Sequence, residues 1–127
     1  MMNYKTDLNR VIGLGSAKEG VHEWWISRLT SVALIPLTLV FLFQVAPLIG
    51  GTHAELVAGL QSPFTAICTI LFLLVGFRHF ADGLKEVIVD YVHAKGTLVV
   101  LLVVTRLGCY FLGFAGAYAV AKIALGA

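Results

Sequence analysis

The sequence predicts an all-α integral membrane protein with three transmembrane helices, and three observations carry that prediction. Of 127 residues, 59% are hydrophobic and only 13% are charged. Soluble domains carry about 25% charged residues, so a water-facing surface cannot be built from this chain. The mean hydropathy is +0.92. The charges also segregate: no acidic or basic residue lies between Arg28 and His53, or between Glu55 and Arg78, and only Arg106 and Lys122 carry charge after Lys95. Each run is long enough to cross a bilayer core of about 30 Å, which takes roughly 20 apolar residues as helix.

The first 23 residues are polar and mix acids with bases. They contain no continuous apolar stretch of the kind a cleavable signal peptide needs, so residues 1–23 are expected to stay as an N-terminal tail. Helix I is predicted over residues 24–49. Trp24 and Trp25 stand at its start, as interfacial aromatics do. Pro36 lies inside it, which membrane helices tolerate when neighbours satisfy the freed carbonyl. Pro47 and the Gly50-Gly51 pair mark its end, followed by a loop to Ser62. Helix II is predicted over residues 63–92, with Pro63 in its first turn. Helix III is predicted over residues 97–125, after the break at Gly96. No repeat, low-complexity stretch or second domain interrupts residues 1–127.

Basic residues near the helix ends set the orientation. Lys5, Arg10, Lys18 and Arg28 precede or open helix I, and Lys85 and Lys95 flank the connection between helices II and III. The connection between helices I and II holds no lysine or arginine. The positive-inside rule therefore predicts a cytoplasmic N-terminus and an outer C-terminus. The net charge of +2 is scattered, without the basic and aromatic interleaving of a nucleic-acid surface. Cys68 and Cys109 fall inside apolar runs and lack metal-ligand spacing, so they read as small hydrophobes.

Ionisable side chains at membrane depth are costly and point to function. Helix II is therefore the informative element. His79, Asp82, Glu86, Asp90 and His93 are spaced by 3, 4, 4 and 3, which puts them on one face of a continuous helix. Arg78 and Asp82 form an i, i+4 pair able to neutralise the arginine in place. Gly76 and Gly83 flank His79 on its face. A flat macrocycle bound through a histidine needs close backbone approach, which glycine permits. Small residues also serve plain helix packing, and a histidine hydrogen-bonded to a neighbouring helix fits the same spacing. His22, His53 and His93 lie near helix ends or in loops, so a second axial ligand would come from another chain.

Asp90 lies eleven residues beyond His79, a rise of about 16 Å, so Asp90 and Tyr91 are expected at the cytoplasmic boundary. A phenol can donate to a quinone carbonyl, and a carboxylate beside it can move protons. An interfacial belt tyrosine beside a helix-end aspartate is the simpler reading of the same two residues. Arg28, just inside helix I, suits carboxylates such as haem propionates, or snorkels to the interface. Ser27, Thr30 and Ser31 could line the same polar pocket. Arg106, about 15 Å into helix III, needs a partner such as Asp82, a propionate or a group on another subunit.

Two stretches resemble one family. His79, ten residues and Asp90-Tyr91 on the second span resemble the small hydrophobic membrane anchor of succinate dehydrogenase, respiratory complex II. Gly20 to Ser31, GVHEWWISRLTS, resembles that family's G-[VT]-x-[DEH]-[FW]-x3-R-x-[TS] start of the first helix. The resemblance implies half of a six-helix bundle completed by a cytochrome b subunit. It implies His79 as axial ligand to haem b, shared with that subunit, and Tyr91 with Asp90 at a site of ubiquinone reduction. Arg28 would lie near the propionates or quinone. FAD and iron–sulfur clusters would belong to a flavoprotein subunit and an iron–sulfur subunit on the cytoplasmic face of a bacterial inner membrane, leaving the C-terminus periplasmic. The chain carries no nucleotide fingerprint and no cysteine ladder, so it is not catalytic alone. A quinol:fumarate reductase anchor, a haem-free structural anchor and a proton-conducting subunit using Arg78, Asp82, Glu86 and Arg106 are the competing readings.

Overall fold

The computed structural model describes residues 18–126. Most of the N-terminal tail, including Lys5 and Arg10, lies outside them. Four α-helices follow in order: α1 (Lys18–Gln44), α2 (His53–Gln61), α3 (Pro63–Tyr91) and α4 (Lys95–Ala124). Three are long and apolar enough to cross a membrane. The all-α, three-span class predicted from the sequence is the observed one.

The helix boundaries differ from the sequence reading in instructive ways. The first helix begins at Lys18 instead of Trp24, because the polar segment KEGVHE continues the helix. It ends at Gln44 instead of Ile49, and Ala46–Leu48 tighten into a 3₁₀ turn around Pro47. Gly50 then takes φ +95°, a left-handed conformation that suits glycine and reverses the chain. The connection read as a loop contains α2. Thr52 caps it: its hydroxyl accepts from Glu55 N–H at 3.3 Å, and the Glu55 carboxylate accepts from Thr52 N–H at 2.8 Å. The Thr52 backbone N–H, and after it the Thr52 hydroxyl beside the carboxylate, hold the Glu55 carboxyl below its ordinary value. Pro63 opens α3, and Val92–Ala94 form a three-residue link to α4.

The middle span is the hub. α1 and α4 each pack along α3. Against α4 the contact is close because α4 is small there. A Cβ on Gly113 would stand 3.3 Å from Phe77 Cβ, and one on Gly116 would stand 3.1 Å from Leu73 Cδ1. Cys109, Gly113 and Val120 are buried along α4, and Thr65, Ala66, Thr69 and Ala81 along α3. Cys109 is thus the small buried hydrophobe expected from the sequence. Small residues let helix backbones approach, the usual packing device where lipid removes the hydrophobic drive. Between α1 and α3, Phe41 stacks on Phe72 with centroids 4.5 Å apart, and Thr65 donates to Gln44. Large apolar side chains such as Phe43, Phe111 and Phe114 point outward, more than half exposed, as lipid- or partner-facing groups do.

Candidate functional site

Towards the end where α1 starts and α3 finishes, the two helices part and leave a polar cleft of about 470 Å³. From α1 come Trp24, Ser27, Arg28 and Ser31. From α3 come His79, Asp82, Gly83 and Glu86. These are two sequence-predicted clusters, the arginine segment of the first span and the histidine face of the second. The antiparallel packing of α1 on α3 makes them opposite walls of one space.

His79 is half-buried. Its Nδ1 lies 3.0 Å from Thr30 Oγ1 on α1. Among the described residues its Nε2 has no hydrogen-bond partner. Arg28 is exposed, with Cζ 5.3 Å from the centre of the Trp24 ring, a cation–π distance. Among the described residues no carboxylate pairs with it. A guanidinium at this wall suits an anionic group in the cleft. Gly83 leaves open space: a Cβ there would meet nothing within 4 Å. Gly76 does not share this space. It faces α1, where a Cβ would stand 3.9 Å from Leu34 Cδ2, and it lines a separate apolar groove with Phe72, Phe77 and Phe80. The structure thus brings Gly83, and not Gly76, beside His79.

The mouth of the cleft is crossed by Lys85, which bonds Glu23 of α1 at 2.5 Å. Asp82 is paired with Arg78 at 3.1 Å, the neutralisation expected from their i, i+4 spacing. Arg78 also donates to the Tyr110 hydroxyl of α4 at 3.0 Å. Arg106 lies beside that hydroxyl and within range of the Asp82 charge. Asp82, the partner expected for Arg106, is instead ion-paired with Arg78, and it shares a small pocket between α3 and α4 with Arg106.

Asp90 and Tyr91 are exposed at the end of α3 and lie outside the cleft. Tyr91 is 79% exposed. His93 falls beyond the last helical residue, so helical spacing does not extend to it. The five-residue face is therefore three residues in the cleft, His79, Asp82 and Glu86, with Asp90 farther along. Thr30, Glu23, Lys85 and Tyr110 are site neighbours that sequence reasoning left without these roles. Among the described residues, no group of three His, Cys, Asp or Glu converges as a bare metal site.

A three-span membrane protein with a histidine and an arginine facing each other across an open-sided cleft is the class that the described residues define. The chain belongs to the succinate dehydrogenase/fumarate reductase transmembrane subunit family, which it matches over residues 2–113. It is 36% identical to the succinate dehydrogenase hydrophobic membrane anchor subunit of Paracoccus denitrificans, over 99% of this chain and 97% of that protein. It is 29% identical to the succinate dehydrogenase membrane anchor subunit of Reclinomonas americana, over 70% of this chain and 77% of the relative. The corresponding subunit of Rickettsia conorii is 24% identical over 84% and 86%. No solved structure matches significantly.

Proposed function

We propose that this chain is the hydrophobic membrane anchor subunit of a succinate dehydrogenase. In this reading it helps to hold a b-type haem shared with a cytochrome b subunit and forms part of the site where ubiquinone is reduced. The observation that carries the reading is His79, within a helix long and apolar enough to cross a membrane, on the wall of a polar cleft opposite Arg28, which no carboxylate of the described residues pairs. The family spans succinate dehydrogenase and fumarate reductase subunits, and the names of the relatives favour succinate oxidation over the reverse reaction.

The residues fit a haem on physical grounds. His79 offers one nitrogen to the open side, Gly83 leaves room for a flat ring, and Arg28 suits a propionate carboxylate. When bound, the haem supplies a one-electron couple whose potential its axial ligands and their hydrogen bonds set. A half-site of this shape needs a second chain to close it, and the cytochrome b subunit would bring the other histidine.

Tyr91 lies twelve residues beyond His79, about 18 Å along α3. Its exposed hydroxyl is placed to donate to a quinone carbonyl at the junction with the iron–sulfur subunit. Asp90, next to it and also exposed, can pass a proton inward as the quinone gains electrons. Tyr91 and Asp90 stand nearer that end of α3 than His79 does, so a haem held by His79 would lie farther from an electron donor docked there than the quinone would. The flavoprotein, carrying FAD, would dock through the iron–sulfur subunit. Clustering of Lys18, Arg28, Lys85 and Lys95 at this end supports placing it in the cytoplasm, with the C-terminus periplasmic, in a bacterial inner membrane.

The test is purification of the tagged chain in mild detergent with a visible spectrum. Co-purification of a second membrane chain, an iron–sulfur protein and a flavoprotein, with a reduced b-type band, is the expected result. A colourless chain recovered alone contradicts it.

A further inference from the structure

The Thr30 hydroxyl oxygen has three polar neighbours. Ile26 O lies at 2.9 Å, Ser27 O at 3.0 Å and His79 Nδ1 at 3.0 Å. A hydroxyl has one proton to give and two lone pairs to offer. The two carbonyls can only accept, so they compete for that single proton, and they lie one turn back on the same helix as the threonine. With the proton turned to the backbone, the oxygen presents a lone pair to His79, and Nδ1 must be the donor.

We propose that Thr30 is a positioning residue for His79: its hydroxyl oxygen accepts the Nδ1 proton across the α1–α3 contact, fixing the tautomer whose free Nε2 lone pair ligates iron. The inference rests on the reading of His79 as an axial haem ligand. A neutral imidazole carries one ring proton, so holding it on Nδ1 leaves Nε2 as the lone-pair nitrogen. The bond also restrains rotation about the ring's attachment and makes the ligand more basic, as partners of ligating histidines do. The threonine and the histidine lie 49 residues apart on different helices, so the bond ties ligand orientation to the packing of α1 on α3.

Thr30→Val removes the oxygen and keeps the branched shape. Thr30→Ser keeps the oxygen, and Thr30→Ala removes it without added bulk. Each is made in the intact complex, whose assembly is checked by co-purification of its subunits. The expected result for Val and Ala is weaker haem retention, by about 10- to 100-fold in affinity. In the haem that remains, the low-temperature electron paramagnetic resonance of the oxidised iron shifts. The midpoint potential rises, because a less basic ligand stabilises ferric iron less. Ser restores all three properties. Haem retention, resonance and potential unchanged from wild type in both Val and Ala would overturn the role of Thr30. A His79→Ala complex that keeps its haem with an unaltered resonance would instead overturn the axial-ligand reading, and the Thr30 inference with it.

Discussion

At the residue scale, the two groups assigned to chemistry stand in different surroundings. His79 is tied into the cleft by Thr30, while Tyr91 is 79% exposed at the end of its helix. Helical geometry explains the contrast. Twelve residues turn a helix by about 120° beyond whole turns, so Tyr91 leaves the face that His79 occupies. The quinone and haem roles proposed for them should therefore be separable by mutation. Tyr91→Phe should lower quinone reduction by about ten- to a hundredfold, the worth of one hydrogen bond donated in the reaction, while the haem spectrum stays unchanged. Steady-state quinone reductase assays with a parallel spectrum check this, and unchanged turnover would remove Tyr91 from the site. The sequence showed which residues carry chemistry because titratable groups inside apolar runs stand out. It could not show Thr30 with His79 or Glu23 with Lys85, which are 49 and 62 residues apart and meet only through helix packing.

At the element scale, glycines with the same local chemistry do opposite things. Gly113 is buried against Phe77, whereas Gly83 borders open cleft. Gly113→Val should force α3 and α4 apart and destabilise the bundle by about 1–3 kcal/mol, the range for overpacking. Gly83→Val should leave that packing intact and instead crowd the cleft, lowering haem content. Thermal unfolding in detergent and haem-to-protein ratio separate the two effects. The short α2 was missed as a helix because nine residues cannot span a bilayer and carry no long apolar period. Its signal was present in Thr52 and Glu55, spaced as a capping box. Because the folded-state pKa of Glu55 is lowered, its contribution is complete above the ordinary carboxylate value and is lost as pH falls through the lowered one. Amide exchange in α2, compared with Glu55→Gln at neutral pH, should show the first turn fraying as the pH drops. Equal protection at both pH values would deny the cap its role. The early start of α1 at Lys18 was hidden for a related reason: a polar helical turn leaves no hydropathy trace.

At the scale of the whole molecule, the described residues leave a large apolar surface for lipid or partner subunits to cover. Its spans bury mainly small residues, and the largest apolar side chains point outward. The spans were legible in the sequence because hydropathy reports length directly. The cleft was not, because its shape depends on how α1 leans on α3. Among the described residues His79 is the histidine that faces that cleft, so the proposed haem would take its second axial ligand from another polypeptide. The most direct test is the reduced-minus-oxidised visible spectrum of the intact complex carrying His79→Ala, with co-purified subunits confirming assembly. The account predicts loss or marked displacement of the b-type band relative to wild type. A band of wild-type position and intensity would contradict it.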